Sequence, residues 1–319
     1  MSVSLPEPLV SAIIPTRNRP GTVLRAVKSA LDQTLRECEV IVVIDGKDEA
    51  TSQALKSLTD PRLRVVDLED SQGAAAARNT GTSLARSPWV AFLDDDDFWL
   101  PGKLEIQLQT ARQCTCRYPI VAVRIIARSE KGDYHWPRRV PAADENLSEY
   151  LLCRKSPFGG EGLVLPSAIM APKELVIAVP FTAGLVFHND YDWLLRACRL
   201  GGAQVVFVST AEPLAVWHIE ENRPRLSNDT DWHYALSWIH NNRQLVTPRA
   251  YASFVLIEAV MRAAATRDWG AFVPLLKDAY THGRPSFNDI ISYLGVWLVP
   301  RQAARRIALL VDRTRRRRT

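Results

Sequence analysis

In its first hundred residues the chain alternates, four times, a short apolar run with a loop and a stretch of helical periodicity. Val10-Ser-Ala-Ile-Ile-Pro15, Val40-Ile-Val-Val-Ile44, Leu63–Val66 and Trp89-Val-Ala-Phe-Leu93 read as strands. Val23, Leu24, Val27, Ala30 and Leu31 recur at helical spacing, and Ala50–Leu58 and Gly73–Ala85 read as further helices. A strand that is apolar at every position is buried on both faces, as parallel strands are. Strand–helix alternation with right-handed crossovers builds a parallel, doubly wound sheet. The rhythm loosens after Pro101. Lys103–Arg112 reads as a helix, Ile120–Ala127 as a strand and Arg128–Val140 as a polar hairpin or loop. Leu163–Met170 is expected to be a strand and Asp190–Leu200 a helix stopped by Gly201-Gly202. Val205–Val208 and Leu214–His218 follow as strands, and from about Asp229 the pattern is helical. The expected architecture is therefore α/β: a Rossmann-like, mainly parallel sheet flanked by helices, with a C-terminal helical extension. The expected domains are residues 1–225 (halves of about 9–110 and 111–225) and 226–319.

Four aspartates, Asp94 to Asp97, follow directly on the fourth apolar run. Neighbouring carboxylates raise one another's pKa unless cations sit among them. If the strand continues, alternation turns Asp94 and Asp96 to one side. Hard carboxylate oxygens suit Mg2+ or Mn2+, which usually bridge to substrate phosphates. Open α/β sheets bind ligands at the C-terminal ends of their strands. Pro15-Thr16-Arg17-Asn18 and Asp45-Gly46 lie just past two other strand ends, so the three loops are expected to meet in one crevice. Asp45 there can accept a nucleobase N–H, although Asp-Gly is also an ordinary turn. Gly73-Ala-Ala-Ala-Ala-Arg78 gives a slim helix face carrying a guanidinium suited to a diphosphate. No Gly-Lys-Ser/Thr phosphate loop and no G-x-G-x-x-G after the first strand occurs.

Two further carboxylates, Asp190 and Asp192, flank Tyr191 at a helix start. Residues i and i+2 diverge on a helix, so one is expected to cap and the other to face the cleft as a base. His218 ends the last strand and is a candidate third metal ligand.

Composition is that of an ordinary globular chain, 47% hydrophobic and 24% charged. The five scattered cysteines suit a reducing compartment, and Cys114-Thr-Cys116 is too tight for zinc. No run approaches the roughly 20 apolar residues of a membrane span. A cytoplasmic protein is expected. The net charge of +5 is unevenly placed, with Arg313 and Arg315 to Arg318 crowding the end. Aromatics are not interleaved with that run, so nucleic acid is not the expected partner. Ala303, Ile307, Leu310 and Val311 share one helical face, which with the arginines predicts peripheral contact with an inner membrane face.

These residues resemble the family-2 glycosyltransferases, which have a GT-A fold. The resemblance rests on Val10–Pro20, Ser29–Thr34, Glu39–Gly46, Ala77-Arg-Asn-Thr-Gly81, Phe92–Trp99 and Pro101–Leu104, and extends more weakly through His188–Arg196. It implies inverting transfer of a sugar from a nucleotide-sugar donor to the hydroxyl of a carbohydrate or lipid-linked acceptor. It places Pro15, Thr16, Arg17, Asp45, Arg78, Asp94 and Asp95 against the donor. Asp94 and Asp96 match its D-x-D metal motif, and Asp190 matches its base. Ile44 stands where the family often has a first acid, and Asn189 where it often has Glu. The competing enzymatic reading is a sugar-phosphate nucleotidyltransferase, whose glycine-rich basic loop is missing. A non-catalytic carbohydrate-binding protein is the reading from another class.

Overall fold

The computed structural model describes residues 7–130, 132–155, 161–219 and 231–299. The chain forms two compact units, Met1–Val140 with Val164–Pro224, and Pro141–Leu163 with Arg225–Thr319.

The first unit opens with β1 (Val10–Thr16), α1 (Pro20–Leu31), β2 (Cys38–Ile44), α2 (Glu49–Leu55), β3 (Leu63–Asp67), α3 (Ala74–Leu84) and β4 (Trp89–Phe92). Every residue of β1 and β2 is buried, which is why those runs carry no polar alternation. The helix α1 begins with Pro20 at its first position and turns Val23, Ala26, Val27 and Ala30 inward. The helix α3 lies close on the sheet through Ala75, Ala76, Ala77 and Gly81. A Cβ at Gly81 would stand 2.4 Å from Ile13, so only glycine allows this approach.

There follow β5 (Phe98–Trp99), α4 (Lys103–Gln113), β6 (Tyr118–Ala122), β7 (Ile125–Ser129) and β8 (Gly132–Trp136). The short helix α5 (Leu147–Leu152) falls in the second unit. The first unit then resumes with β9 (Ile169–Pro172), α6 (Lys173–Ala178), α7 (Asn189–Ala197), β10 (Ala203–Phe207) and β11 (Ala215–His218).

The main sheet has the order β10-β6-β9-β4-β1-β2-β3. Strands β4, β1, β2 and β3 are parallel, and β9 runs antiparallel between β4 and β6. A second sheet, β5-β11-β7-β8, joins Phe98–Trp99 to the last strand. The expected strand Ile120–Ala127 is two strands, because the chain leaves the main sheet after Ala122 and enters the second at Ile125. The expected strand at Leu163–Met170 is mostly a 3-10 turn (Pro166–Ala168) leading into β9.

The second unit contains α8 (Trp232–Asn241), α9 (Pro248–Phe254), α10 (Val260–Thr266), α11 (Phe272–His282) and α12 (Phe287–Leu298), with a π turn joining α9 to α10. The segment 141–163 was expected in the acceptor half of the first domain, but it groups here. The reason is hydrogen bonding: Thr247 N–H donates to Ser148 Oγ at 3.1 Å and Thr247 Oγ1 to Glu149 Oε1 at 2.8 Å, fixing α5 at the start of α9. Asp278 ties α8, α9 and α11 together, accepting from Tyr251 at 2.6 Å and meeting His240 and His282 at 2.9 and 3.1 Å. The amphipathic face expected at Ala303–Val311 and the arginines after it lie outside the described residues. No helix among the described residues is long and apolar enough to cross a membrane.

Candidate active site

The loops after β1, β2 and β4 meet at the C-terminal ends of those strands, as parallel topology requires. The first is shaped by Asn18, which takes a left-handed conformation (φ 54°) and donates its N–H to Asp48. Asp48 also caps α2 through Thr51 N–H, so this loop and α2 share one anchor. Gly46, at φ 92°, ends the second loop against Ser71.

The four aspartates do not extend the strand. Chain pairing in β4 stops at Phe92, and Asp97 N–H closes a turn onto Asp94 O at 3.0 Å. Strand alternation therefore gives no account of where Asp94 and Asp96 point. The turn itself does the sorting: Asp94 and Asp96 are part-exposed, Asp95 and Asp97 are buried.

Each carboxylate has its own partner. Arg78, buried on α3, donates Nη2 to Asp94 Oδ1 at 2.5 Å. Thr16 Oγ1 donates to Asp95 Oδ2 at 2.7 Å, and Arg19 Nη1 to Asp95 Oδ1 at 2.6 Å. Arg19 also reaches Asp96 Oδ2 at 3.3 Å. Asp97 is held by Ser167 Oγ at 2.6 Å and by His218 N–H at 3.2 Å. The same Ser167 hydroxyl accepts Asp94 N–H, so the antiparallel insertion of β9 is what brings a brace under the turn. Burial raises the pKa of Asp95 against the pull of Arg19 and Thr16. Burial also pushes Asp97 well above the ordinary carboxylate value, with the charges of Asp94 and Asp96 adding to it.

The other residues expected to contact the donor are engaged within the protein. Asp45 accepts Ser71 Oγ (2.7 Å), Gln72 N–H (2.8 Å) and Gly73 N–H (3.0 Å), so most of its lone pairs already hold the start of α3. Arg17 reaches Ser71 from the same side. Pro15 is buried within β1 beside Val43. Asp95 is a brace beneath the turn, with both oxygens engaged. Arg78 combines an ion pair to Asp94, a guanidinium 5.5 Å from the Phe181 ring and a buried Nε–H with no partner.

His218 does not join Asp94 and Asp96 as a third ligand. Among the described residues the only three-ligand group whose donor atoms all lie within 4.8 Å is His240, Asp278 and His282, in the second unit. The three first-unit residues are drawn to different cations, Asp94 to Arg78, Asp96 to Arg19, and His218 Nδ1 to Arg25 at 3.4 Å. Arg19 and Arg25 are the residues that sequence reasoning missed. The signal was available: an acidic tetrad needs cations, and the loop and helix after the first strand carry three arginines.

The expectation that one acid of the α7 pair caps the helix is not met. The helix is preceded by His188 in a left-handed conformation (φ 66°) and has no side-chain cap. Asp192 is buried, accepting Thr182 Oγ1 at 2.7 Å and Arg196 Nε at 2.8 Å. Asp190 accepts the adjacent Tyr191 N–H at 3.0 Å. Burial lifts Asp190 to about 6; Tyr191 N–H and Arg78 pull it down, and Asp94 pushes it up. The carboxylate thus lies within electrostatic reach of both the arginine and the first acid of the tetrad. A groove of about 680 Å³ lies elsewhere, at the opposite ends of the strands, lined by Trp89, Tyr118 and Lys173 among others, and it touches none of these groups.

The mainly parallel sheet therefore gathers Thr16, Asp45 and the Asp94–Asp97 turn at the C-terminal ends of β1, β2 and β4. The chain matches the family described as Glycosyl transferase family 2 over residues 11–176, and it belongs to that family. It is 36% identical over 225 residues to the succinoglycan biosynthesis protein ExoO of Rhizobium meliloti, spanning 67% of this chain and 62% of that one. It is 32% identical over 217 residues to the putative colanic acid biosynthesis glycosyl transferase WcaA of Escherichia coli, spanning 67% and 70%. The amylovoran biosynthesis glycosyltransferase AmsB of Erwinia amylovora is 27% identical over 247 residues, spanning 75% and 79%. S. aureus TarS 1–349, solved with UDP-GlcNAc, shares the fold at a TM-score of 0.58 and 16% identity, covering 92% of this chain and 91% of that one.

Proposed function

We propose that this glycosyltransferase moves a sugar, with inversion, from a nucleoside diphosphate donor to a hydroxyl of a carbohydrate or lipid-linked acceptor in surface polysaccharide synthesis. The observation that carries the reading is Asp190: a carboxylate raised to about 6 by burial, yet within the field of Arg78 and Asp94. At neutral pH such a group is ionised and basic enough to take a proton.

The chemistry balances on this geometry. Asp190 accepts the proton of the acceptor hydroxyl as its oxygen bonds to the anomeric carbon. The bond from that carbon to the diphosphate oxygen breaks on the opposite side, which inverts the centre. Arg78, with a buried Nε–H still unpartnered, stabilises the charge that develops on the departing diphosphate. Asp94 and Asp96, the two part-exposed acids of the turn, would hold a Mn2+ or Mg2+ ion, exchanging for it part of their contact with Arg78 and Arg19, while Asp95 and Asp97 are buried beneath them. That ion would supply Lewis-acid stabilisation of the leaving group. Thr16, Arg17 and Asp45 border the nucleotide. The names of the relatives, three of them in exopolysaccharide synthesis, support the acceptor class. The UDP and UDP-GlcNAc complexes of TarS support a uridine donor. The enzyme works inside the cell, touching the inner membrane face peripherally.

The test is isothermal titration of the full chain with UDP, GDP and dTDP, with and without Mn2+, followed by a donor screen that detects released nucleoside diphosphate. Saturable, Mn2+-strengthened binding of one nucleotide and release of that diphosphate are expected. Binding of none of the three would overturn the reading.

A further inference from the structure

The helix α12 turns an unbroken apolar face to solvent. Its orientation is fixed from within. Ser286 and Asp289 form a reciprocal cap, with Asp289 Oδ2 accepting Ser286 N–H at 2.7 Å, and Asp289 Oδ1 accepts Ser253 Oγ at 2.8 Å. Asp289, Ser292, Tyr293 and Trp297 are buried, and Tyr293 donates its hydroxyl to Phe272 O at 2.5 Å. The Trp297 ring packs against Phe272 and Trp269 at 5.7 and 4.9 Å. The opposite face consists of Phe287, Ile291, Leu294 and Leu298, spaced at i, i+4, i+7 and i+11. Their exposures are 78, 39, 40 and 68%. The one charged residue of the helix, Asp289, is on the buried side.

A helix that packs one face on a protein core carries polar groups on the other. Contiguous exposed apolar surface marks a contact with something apolar. Trp269, beside Trp297, is itself 57% exposed, and tryptophan favours the boundary between hydrocarbon and water. The sequence that follows the helix says what the partner is charged with: residues 300–319 hold eight arginines against one aspartate. An apolar helical face next to dense positive charge is the composition of a segment that lies in the plane of an anionic bilayer.

We propose that the Phe287–Ile291–Leu294–Leu298 face of α12 is a docking surface for an anionic lipid bilayer, the charge of the sequence after it favouring such a bilayer over a neutral one. The proposal gives a surface to the membrane contact in the functional reading above and rests on that reading for its purpose alone. It needs no nucleotide, so its failure and the failure of the donor chemistry are distinguishable.

The experiment is co-sedimentation of the full chain with vesicles of phosphatidylcholine alone and of equal parts phosphatidylcholine and phosphatidylglycerol, at low and moderate salt. Phe287→Glu with Leu298→Glu is the face variant, and Arg315→Gln with Arg317→Gln the charge variant. The wild-type chain is expected to bind the anionic vesicles at low salt and to leave the neutral ones. The face variant should bind about tenfold less or weaker still, since two large side chains lose their apolar burial. Both of its sites are exposed, so its melting temperature and nucleotide binding should match wild type. The charge variant should bind less than wild type at low salt, and the difference should shrink at moderate salt, where the attraction is screened. Wild-type chain that stays in the supernatant overturns the proposal. So does a face variant that binds vesicles as wild type does. A vesicle-free dimer that the face variant dissociates in sedimentation velocity would overturn it in favour of a second copy of this chain.

Discussion

Two groups of carboxylates, the four of the Asp94–Asp97 turn and the two of α7, are treated differently. In the Asp94–Asp97 turn every acid is compensated: Arg78 serves Asp94, Arg19 serves Asp95 and Asp96, and Ser167 with His218 N–H serves Asp97. On α7 the compensation is withheld from one acid. Asp192 has Thr182 and Arg196, whereas Asp190 has backbone N–H partners and is lifted to about 6 by desolvation. The lesson is that a leaving-group site needs charge held in place, and a base needs charge made expensive. The fold supplies the first by holding acids with arginines and a hydroxyl, and the second by desolvating Asp190 and giving it backbone N–H partners alone.

The comparison breaks most readily at Asp190. Asp190→Asn should lower turnover by about 10²-fold or more, the usual scale for loss of a general base, with donor affinity little changed. Turnover of the wild-type enzyme should fall as pH drops through about 6. Stability should move the other way. A carboxyl raised from the ordinary 3.8 to about 6 binds its proton more tightly in the folded chain, so its ionisation destabilises the fold as pH rises across that window. Asp190→Asn should therefore melt higher than wild type above about pH 6 and not below the ordinary carboxylate range. A variant both slower and less stable at neutral pH would make Asp190 structural.

The next test is on the compensated side. Asp96→Ala should weaken Mn2+-dependent donor binding by about tenfold or more, the scale of one charge-assisted contact. Asp97→Ala should act on stability instead. It leaves the buried Ser167 hydroxyl and a backbone N–H unpaired, at a cost of about 1–3 kcal/mol. Titration of both variants with UDP and Mn2+, beside urea melts, separates the roles. Equal donor loss in both would mean the turn works as a unit and the exposed and buried acids are not distinct.

Much of this site was legible because it hangs on strands whose burial writes itself into the sequence. The apolar runs at Val10–Pro15 and Val40–Ile44 fix where their loops emerge, and the Ala-rich face before Arg78 fixes how close α3 lies. What strand period could not convey is the turn. A one-residue difference in where β4 ends removes the alternation argument for Asp94 and Asp96 altogether. The surroundings of His218 escape strand period for a related reason: they are set by Arg25 and Asp97, more than a hundred residues away in sequence. The fate of residues 141–163 is likewise tertiary, decided by Thr247 reaching Ser148 and Glu149. Lys103 is the extreme case, a lysine in a helical pattern that turns out fully buried over the Trp99 ring.

The smallest expected effect is at Asp192, and it is the sharpest control on the comparison. Its side chain sits two residues from the proposed base, on the same first turn of α7, and has the same chemistry. If proximity and charge were enough for catalysis, Asp192→Asn would cost turnover much as Asp190→Asn does. The structure argues otherwise, since Asp192 is buried and bound to Thr182 and to Arg196 one turn along the helix. The amide keeps an oxygen for Thr182 and loses only the ionic part of the Arg196 contact, so stability should fall by about 1 kcal/mol. Turnover measured at saturating donor should stay within about twofold of wild type, because that loss loosens α7 without removing the acceptor of the proton. A drop in turnover comparable to that of Asp190→Asn, with the melting temperature unchanged, would transfer the base to Asp192 and undo the division of labour on α7.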